Sequence, residues 1–244
     1  MNGQVQFNTR FVSSVDSTND ELKREKLQDL NSGYGICSEE QIAGRGQREK
    51  KWVSARGENL LYSFLLKNTG LSPGQQPRLL QVTALSICNM VEELTGIRPS
   101  IKWPNDIIVK NKKLAGILIE NFIQSGGITS IIGSGINCNQ TRFPAFEPAA
   151  ISLKHITNEH YSIMQVLSAY QQCFREELAG MHDASLGKRY TRNLFGLGEI
   201  RDFETTDGEY VVAEVIGVDL LGRLVLMVDG HPRAFMNGSL KWLF

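Results

Sequence analysis

Residues 100–136 constrain the fold more than any other stretch of this chain. Strand pieces at 100–103 and 107–109 flank Pro104-Asn105-Asp106, a proline and two turn formers that interrupt a ladder. Asn111-Lys112 reads as a second turn and 114–122 as a strand running back. Gly126-Gly127 makes a third turn, and 128–136 is a further strand. Parallel neighbours need a crossover of a dozen or more residues, usually a helix. No connection here is long enough, so the pattern predicts an antiparallel meander and excludes a βαβ ladder.

The rest of the chain supplies flanking elements. Strands are expected at 11–15 and 34–40, and the apolar run 60–66 reads as a buried strand. Polar cap residues before acidic ones at 16–21 start a helix continuing to about 30, which Asn31-Ser32-Gly33 ends. Pro77 opens the strongest helix. Leu80, Ala84, Ile87, Cys88, Val91 and Leu94 recur at spacings of three and four and form one apolar face, and Gly96 closes the element. A second long helix covers 162–181, with Ile163, Val166, Leu167, Tyr170, Phe174, Leu178 and Met181 inward. Beyond Leu194 the texture changes to short strands at 200–203, 210–218, 224–229 and 233–236, with a last one at 237–240. Asp207-Gly208, Leu221-Gly222 and Asp229-Gly230 part them as turns. Five short strands in about fifty residues predict a small β-barrel, with a boundary near Asn193.

Bulk properties narrow the function. The 26 basic residues equal the 26 acidic ones, which argues against a chain that binds nucleic acid or a membrane surface through overall charge. Cys37, Cys88, Cys138 and Cys173 are far apart among apolar neighbours, form no CxxC, and read as reduced core residues. The start, Met1-Asn2-Gly3-Gln4, opens no basic or apolar leader, and no run of 18 apolar residues offers a membrane span, so the cytoplasm is expected.

Four segments carry residue types suited to chemistry. In Gly44-Arg45-Gly46-Gln47-Arg48-Glu49-Lys50-Lys51-Trp52 two glycines bracket an arginine, so backbone amides and a planar guanidinium can reach one anion together. A solvated basic loop touching nucleic acid explains the same residues, although stacking aromatics are missing apart from Trp52. In Lys102-Trp103-Pro104-Asn105-Asp106 a turn explains Pro104 and Asn105 but not the lysine and tryptophan before it. Pairing across the hairpin would bring Lys102, Asp106 and Lys113 together, and Gly116 inside a strand suggests close approach of a ligand or a second backbone. Gly133-Ser134-Gly135-Ile136-Asn137 leaves one strand face bare, either for a flat ligand or for packing. Ser17-Thr18-Asn19 either caps a helix or reads a polar, uncharged group.

In this order and combination, Gly44-Arg45-Gly46 with Trp52, Lys102-Trp103-Pro104-Asn105-Asp106, Lys113-Leu114-Ala115-Gly116 and Gly133-x-Gly135-Ile136-Asn137 resemble the biotin protein ligases, over nearly the whole chain from Ser13 to Phe244. The resemblance implies an α+β fold: a mixed, mainly antiparallel central sheet with flanking helices in residues 1–192, and an SH3-like β-barrel in 193–244. It implies ATP-dependent activation of biotin to biotinyl-AMP and transfer to a lysine of a biotin carboxyl carrier domain, with magnesium held mainly by the ATP phosphates. Ser17, Thr18, Asn19 and Gln41 would bind the ureido ring, while Arg45, Gly46 and Gln47 would belong to the loop closing over biotin. Lys113 would meet the biotin carboxylate and the phosphate, and Gly116, Gly133 and Gly135 would form a close floor. Trp52, Lys102, Asn105 and Asn137, with Arg45, would face the nucleotide. Arg45 and Lys113 would cancel the repulsion between carboxylate and phosphate, and Asp106 would take the proton of the carrier amine.

Three departures accompany the resemblance. Gln47 stands where many relatives carry a further arginine, which predicts weaker adenylate retention. Glu49 stands where glycine is common. The end reads Asn237-Gly238-Ser239-Leu240 rather than a Gly-Glu-Ser pattern. Ser17 comes too early for an N-terminal DNA-binding domain, so a monofunctional ligase is expected, with no DNA and no membrane partner and with a homodimer permitted by free sheet edges. A lipoate ligase or lipoyl transferase of shared fold is the nearest rival, and a nucleic-acid-binding module the second.

Overall fold

The short connections of the central stretch and the apolar run before it produce a sheet with one dominant sense. The computed structural model describes residues 5–48, 50–124 and 127–243. Its first sheet contains β1 (Asn8–Val12), β2 (Tyr34–Ser38), β3 (Asn59–Lys67), β4 (Ser100–Lys102), β5 (Asp106–Val109), β6 (Lys112–Gln124) and β7 (Gly127–Asn137). The order is β1-β2-β3-β7-β6-β5-β4. Only β1 and β2 pair in parallel; the other neighbours are antiparallel, so the sheet is mixed and mainly antiparallel as expected. Expectations about residues 1–4, Glu49, Gly126 and Phe244 lie outside the described residues.

Helices α1 (Thr18–Arg24), α2 (Pro77–Thr95), α3 (Leu153–Thr157), α4 (Ile163–Ala179) and α5 (Leu186–Arg192) cover the sheet. Gly96 ends α2 in the left-handed region at φ 68°, where a side chain would be strained. The single apolar face expected of α2 is an underestimate. Leu79, Gln81, Thr83, Ser86 and Met90 are buried too, while Leu80 and Leu94 lie at the margin. The helix packs between the sheet and α4 and α5, which buries the first part of it on most sides and leaves a polar edge at Asn89, Glu92 and Glu93. Its hydroxyls are satisfied locally: Thr83 Oγ1 donates to Leu79 O and Ser86 Oγ to Val82 O, both at 2.7 Å.

Other boundaries move. The first strand begins at Asn8, three residues before its expected start, and Val15 makes only an isolated bridge to Gln41. The first helix stops at Arg24, because Glu25 turns extended (ψ 156°), and a 3-10 turn follows at Leu27–Asp29. The second turn of the meander falls on Lys110 and Asn111, both at positive φ (50° and 59°), one residue before its expected place. That backbone suits the right-handed twist of a two-residue hairpin. Helices α3 and α5 were not anticipated.

The second sheet joins β8 (Ile200–Thr205), β9 (Tyr210–Val218), β10 (Leu224–Val228), β11 (His231–Phe235) and β12 (Leu240–Trp242) in the order β11-β10-β9-β8-β12. The last strand therefore starts where it was expected to finish. Asn237 and Gly238 form the turn before it, with Gly238 at φ 81°. β9 alternates buried and exposed positions, as a strand with one dry face does. The sheet is fastened to the first by two indoles. Trp103 Nε1 donates to Gly222 O at 2.8 Å, and Trp242 Nε1 donates to Trp103 O at 3.1 Å. Trp242 also packs against Phe203 and Phe195, with ring centroids at 4.8 and 5.7 Å. This answers what the turn left open at Trp103: the tryptophan is a bolt. All four cysteines are buried and free, and no helix among the described residues is long and apolar enough to cross a membrane.

Truncating the bolt should be expensive. Trp242→Ala removes a buried aromatic and its hydrogen bond, and is expected to cost about 3–5 kcal/mol, read as a lowered midpoint in urea unfolding.

Candidate active site

Each of the four segments reaches the same cavity of about 750 Å³, which opens between the first sheet, the 44–52 loop and the second sheet. All the residues named above for ligand contact line it: Ser17, Thr18, Asn19, Gln41, Arg45, Gly46, Gln47, Trp52, Lys102, Asn105, Asp106, Lys113, Gly116, Gly133, Gly135 and Asn137. The topology explains this. β3, β7 and β6 are adjacent, so Ser63, Gly133 and Leu118 stand side by side, as do Leu61, Gly135 and Gly116.

One end of the cavity is neutral. Gln41 Oε1 accepts from Thr18 N at 2.7 Å and lies 3.0 Å from Thr18 Oγ1. Ser63 Oγ is 2.6 Å from Thr18 Oγ1 and donates to Asn19 Oδ1 at 2.6 Å. Ser17 occupies the N-cap position of α1, but its side chain makes no capping bond, so helix capping does not account for this segment. Ser63 was missed from sequence. Its signal was a small polar hydroxyl residue inside an apolar run, a polar group that burial must satisfy.

The other end is cationic. Lys113 Nζ lies 2.7 Å from Asp106 Oδ1, and Lys102 Nζ lies 3.8 Å from Asp106 Oδ2. The hairpin register aligns Lys102 with Asp106, and a bulge after Ile107 turns Lys113 into the group, as the pairing argument anticipated. Burial pushes the Lys102 ammonium below the ordinary lysine range; Asp106 opposes this, and Lys113 and Lys50 add to it. The backbone of Lys113 is pinned by the 139–151 segment, with Lys113 N donating to Ala149 O at 2.8 Å and Ile151 N to Lys113 O at 2.9 Å.

Between the ends runs the glycine strip, and it serves the protein's own side chains first. A Cβ on Gly133 would stand 2.2 Å from Asn19 Oδ1, and one on Gly135 would stand 2.5 Å from Trp52 Cε2. A Cβ on Gly116 would stand 3.2 Å from Trp52 Cζ3 and 3.3 Å from Lys113 Nζ. Trp52 Nε1 is buried with no hydrogen-bond partner among the described residues, a donor left for whatever enters.

The 44–52 loop folds back as a small hairpin, with Arg45 bridged to Lys51, Trp52 N donating to Gly44 O at 2.9 Å and Gly46 N to Lys50 O at 2.7 Å. Arg45 is held by Asp20 at 2.5 Å and Glu120 at 3.1 Å. Burial lowers its guanidinium pKa, but Glu120 and Asp20 outweigh that and raise it. Asn105 Nδ2 donates to Ile117 O at 2.7 Å, and Asn137 Nδ2 to Ile151 O at 3.1 Å, so both amides brace backbone while lining the wall. Phe143 and Phe146 line the wall too, as do Glu204 and Lys241 from the second sheet. No periodicity marked them, because they reach the site through a loop and through the docking of one sheet on another.

Such a cavity accepts an elongated molecule with an uncharged polar head, an apolar middle and an acid end, beside room for a second anionic ligand. The chain belongs to the biotin/lipoate A/B protein ligase family, whose model matches residues 11–137. It is 36% identical over 242 residues to the bifunctional ligase/repressor BirA of Escherichia coli strain K12, covering 93% of this chain and 71% of that one. It is 25% identical over 241 residues to a biotin–[acetyl-CoA-carboxylase] ligase of Mycobacterium tuberculosis, covering 95% and 88%. Among solved structures, a biotin protein ligase from Aquifex aeolicus in complex with biotin and ATP superposes with a TM-score of 0.82 at 26% identity, over 97% of this chain and 99% of that one.

The bare strip sets a local expectation. Gly133→Ala must displace Asn19, and overpacking of this kind costs about 1–3 kcal/mol. Thermal unfolding should register the loss, whereas an unchanged transition would mean that Asn19 is free to move.

Proposed function

We propose that the chain is a biotin protein ligase. It adenylates biotin with ATP and passes the biotinyl group to a lysine of a biotin carboxyl carrier domain. The observation that carries this reading is the convergence, in one cavity, of a neutral hydrogen-bonding end and a cationic end from separate segments. A biotin ureido ring offers donors and an acceptor to Thr18, Asn19 and Gln41. A lipoyl dithiolane offers almost none and would gain no hydrogen bond from these groups. The biotin-binding and ATP-binding relatives named above point the same way.

In the first step a biotin carboxylate oxygen attacks the α-phosphorus of ATP, forming the mixed anhydride and releasing pyrophosphate. Two anions must meet, so fixed cations in a water-poor cavity matter most. Lys113 and Arg45 take that role, with Gly46 and Gln47 in the loop that closes, and Lys102 and Trp52 on the nucleotide side. Phe143 and Phe146 offer apolar faces to a purine. In the second step the carrier amine attacks the acyl carbon and AMP leaves. Asp106 takes the amine proton, once its contact with Lys113 yields to the phosphate. Among the described residues no cluster of three or more His, Cys, Asp or Glu gathers for a metal, and Asp106 is committed to two lysines. Magnesium would arrive on the ATP phosphates as part of the substrate. A division near Asn193, with the second sheet closing as an SH3-like barrel, and a homodimer through free sheet edges complete the proposal. Four buried free cysteines suit a cytoplasmic location.

The deciding experiment is incorporation of labelled biotin into a carrier domain. Incorporation that requires ATP and is not replaced by lipoate is expected; ATP-dependent transfer of lipoate alone overturns the assignment. Lys113→Ala is expected to slow adenylation by about 100-fold or more while costing at most about 1 kcal/mol of stability, since its ion pair is partly solvated. Arg45→Ala is expected to speed release of the adenylate, measured by gel filtration of the preformed complex. Unchanged release would remove Arg45 from the closing loop's function.

A further inference from the structure

Glu120 lies outside all four sequence segments, yet both ends of the neutral cluster depend on it. It stands on β6 two positions beyond Leu118 and four beyond Gly116, on the same strand face. Its Oε2 accepts from Asn19 Nδ2 at 2.8 Å. Its Oε1 accepts from Lys23 Nζ at 2.8 Å and from Arg45 at 3.1 Å. Burial pushes the Glu120 carboxyl up, but the hydrogen bonds from Lys23 and Asn19 and the charges of Lys23 and Arg45 outweigh it, holding the group below the ordinary glutamate range. The side chain is therefore a carboxylate across the neutral pH range, and a carboxylate only accepts.

The consequence runs through four residues. Asn19 must turn its NH2 towards Glu120 and towards Leu118 O, another pure acceptor, at 3.4 Å. Its Oδ1 then faces Ser63, 2.6 Å away, and takes the one proton that the Ser63 hydroxyl owns. The contact of 2.6 Å between Ser63 Oγ and Thr18 Oγ1 needs a proton as well, and only Thr18 has one left to give. Gln41 Oε1 is left with the Thr18 backbone N–H as its donor at 2.7 Å. Each donor and acceptor at the neutral end is thus directed from Glu120 outward. An amide at position 120 would keep its oxygen for Lys23 and Arg45 and turn its NH2 towards Asn19, so Asn19 would either lose that bond or flip its oxygen against Leu118 O.

We infer that Glu120 is a positioning residue that fixes the donor–acceptor polarity of the head pocket, and so its choice of an uncharged polar head, while sharing the same carboxylate with Arg45 of the closing loop. This rests on the ligase reading above, with biotin as the ligand. Glu120→Gln removes the charge but keeps an oxygen that can still accept from Lys23 and Arg45, so its effect should fall on the binding of the head, through Asn19, more than on ATP.

Biotin-dependent ATP/pyrophosphate exchange tests it. Glu120→Gln should raise the KM for biotin about tenfold, the loss expected for one misdirected hydrogen bond, while the KM for ATP stays within about twofold. Ser63→Ala, which breaks the chain at its middle, should do the same. In a double-mutant cycle the pair should remain near tenfold and not reach about 100-fold, because both remove one shared network. Independent, multiplying effects overturn the inference, as does an equal rise in the KM for ATP. If Glu120→Gln does not fold, Ser63→Ala is read alone: a biotin KM raised about tenfold sustains the inference, and an unmoved one overturns it. Absence of exchange in the unsubstituted protein overturns the ligase reading itself, and this inference with it. Exchange there, with an unmoved biotin KM in Glu120→Gln, overturns the inference alone.

Discussion

Two glycines of β7 leave a strip of bare backbone in the middle of a seven-stranded sheet, and two side chains lie on that strip. Asn19 rests against Gly133 and Trp52 against Gly135. The approach is so close that a single methyl group at either position would collide. Everything else at the site is arranged around this contact. Helix α1 can present Thr18 and Asn19 to Ser63 only because Gly133 yields the space. The 44–52 loop can fold its tryptophan inward only because Gly135 does. A sheet face normally spends its alternate side chains on a core. Here it forgoes them and gains a recess whose walls come from a helix, a loop and a hairpin.

Lys113, Lys102 and Arg45 are each paired with a carboxylate before any ligand arrives, although two lysines share one carboxylate and leave that end net positive. Lys113 and Lys102 share Asp106, and Arg45 shares Asp20 and Glu120 with Lys23. Isolated buried charges would be costly, so each cation waits on a carboxylate. The pairing also prepares the chemistry. An incoming phosphate or carboxylate competes with a carboxylate already seated, and the cations need no new desolvation to meet it. The two ends differ in how they are held. Lys113 is anchored through its backbone by the 139–151 segment. Arg45 is carried on a hairpin whose tip, at Arg48, reaches Gly238 of the second sheet.

Trp103 shows how a motif can mix purposes. It stands between Lys102 and Asp106 and lines the cavity with them, while its indole N–H reaches into the junction between the two sheets. The same five residues therefore place a cation, an acid and a fastening. Glu204 and Lys241 reach the cavity only because Trp103 and Trp242 hold the second sheet where it is.

The meander, the long helices, the turns at Gly208, Gly222 and Gly230, and the grouping of Lys102, Asp106 and Lys113 were all legible in the chain. Each rests on local backbone preference or on pairing between neighbours a few residues apart. Ends of elements were less so: the first helix stops early because Glu25 turns extended, which its polar composition did not signal. Glu120, Phe143 and Phe146 were not legible, although each lines the site or braces it. Their roles depend on contacts across tens of residues, and Asn19 meets Glu120 only once β6 and β7 have paired and α1 has docked. The amino-acid sequence by itself determined which chemistry was present: bare glycine backbone, fixed cations and neutral hydroxyl and amide groups in set order. The tertiary structure alone decided which of them face one another, because direction in a hydrogen bond and balance between charges are properties of pairs, and pairs exist only after the chain has closed on itself.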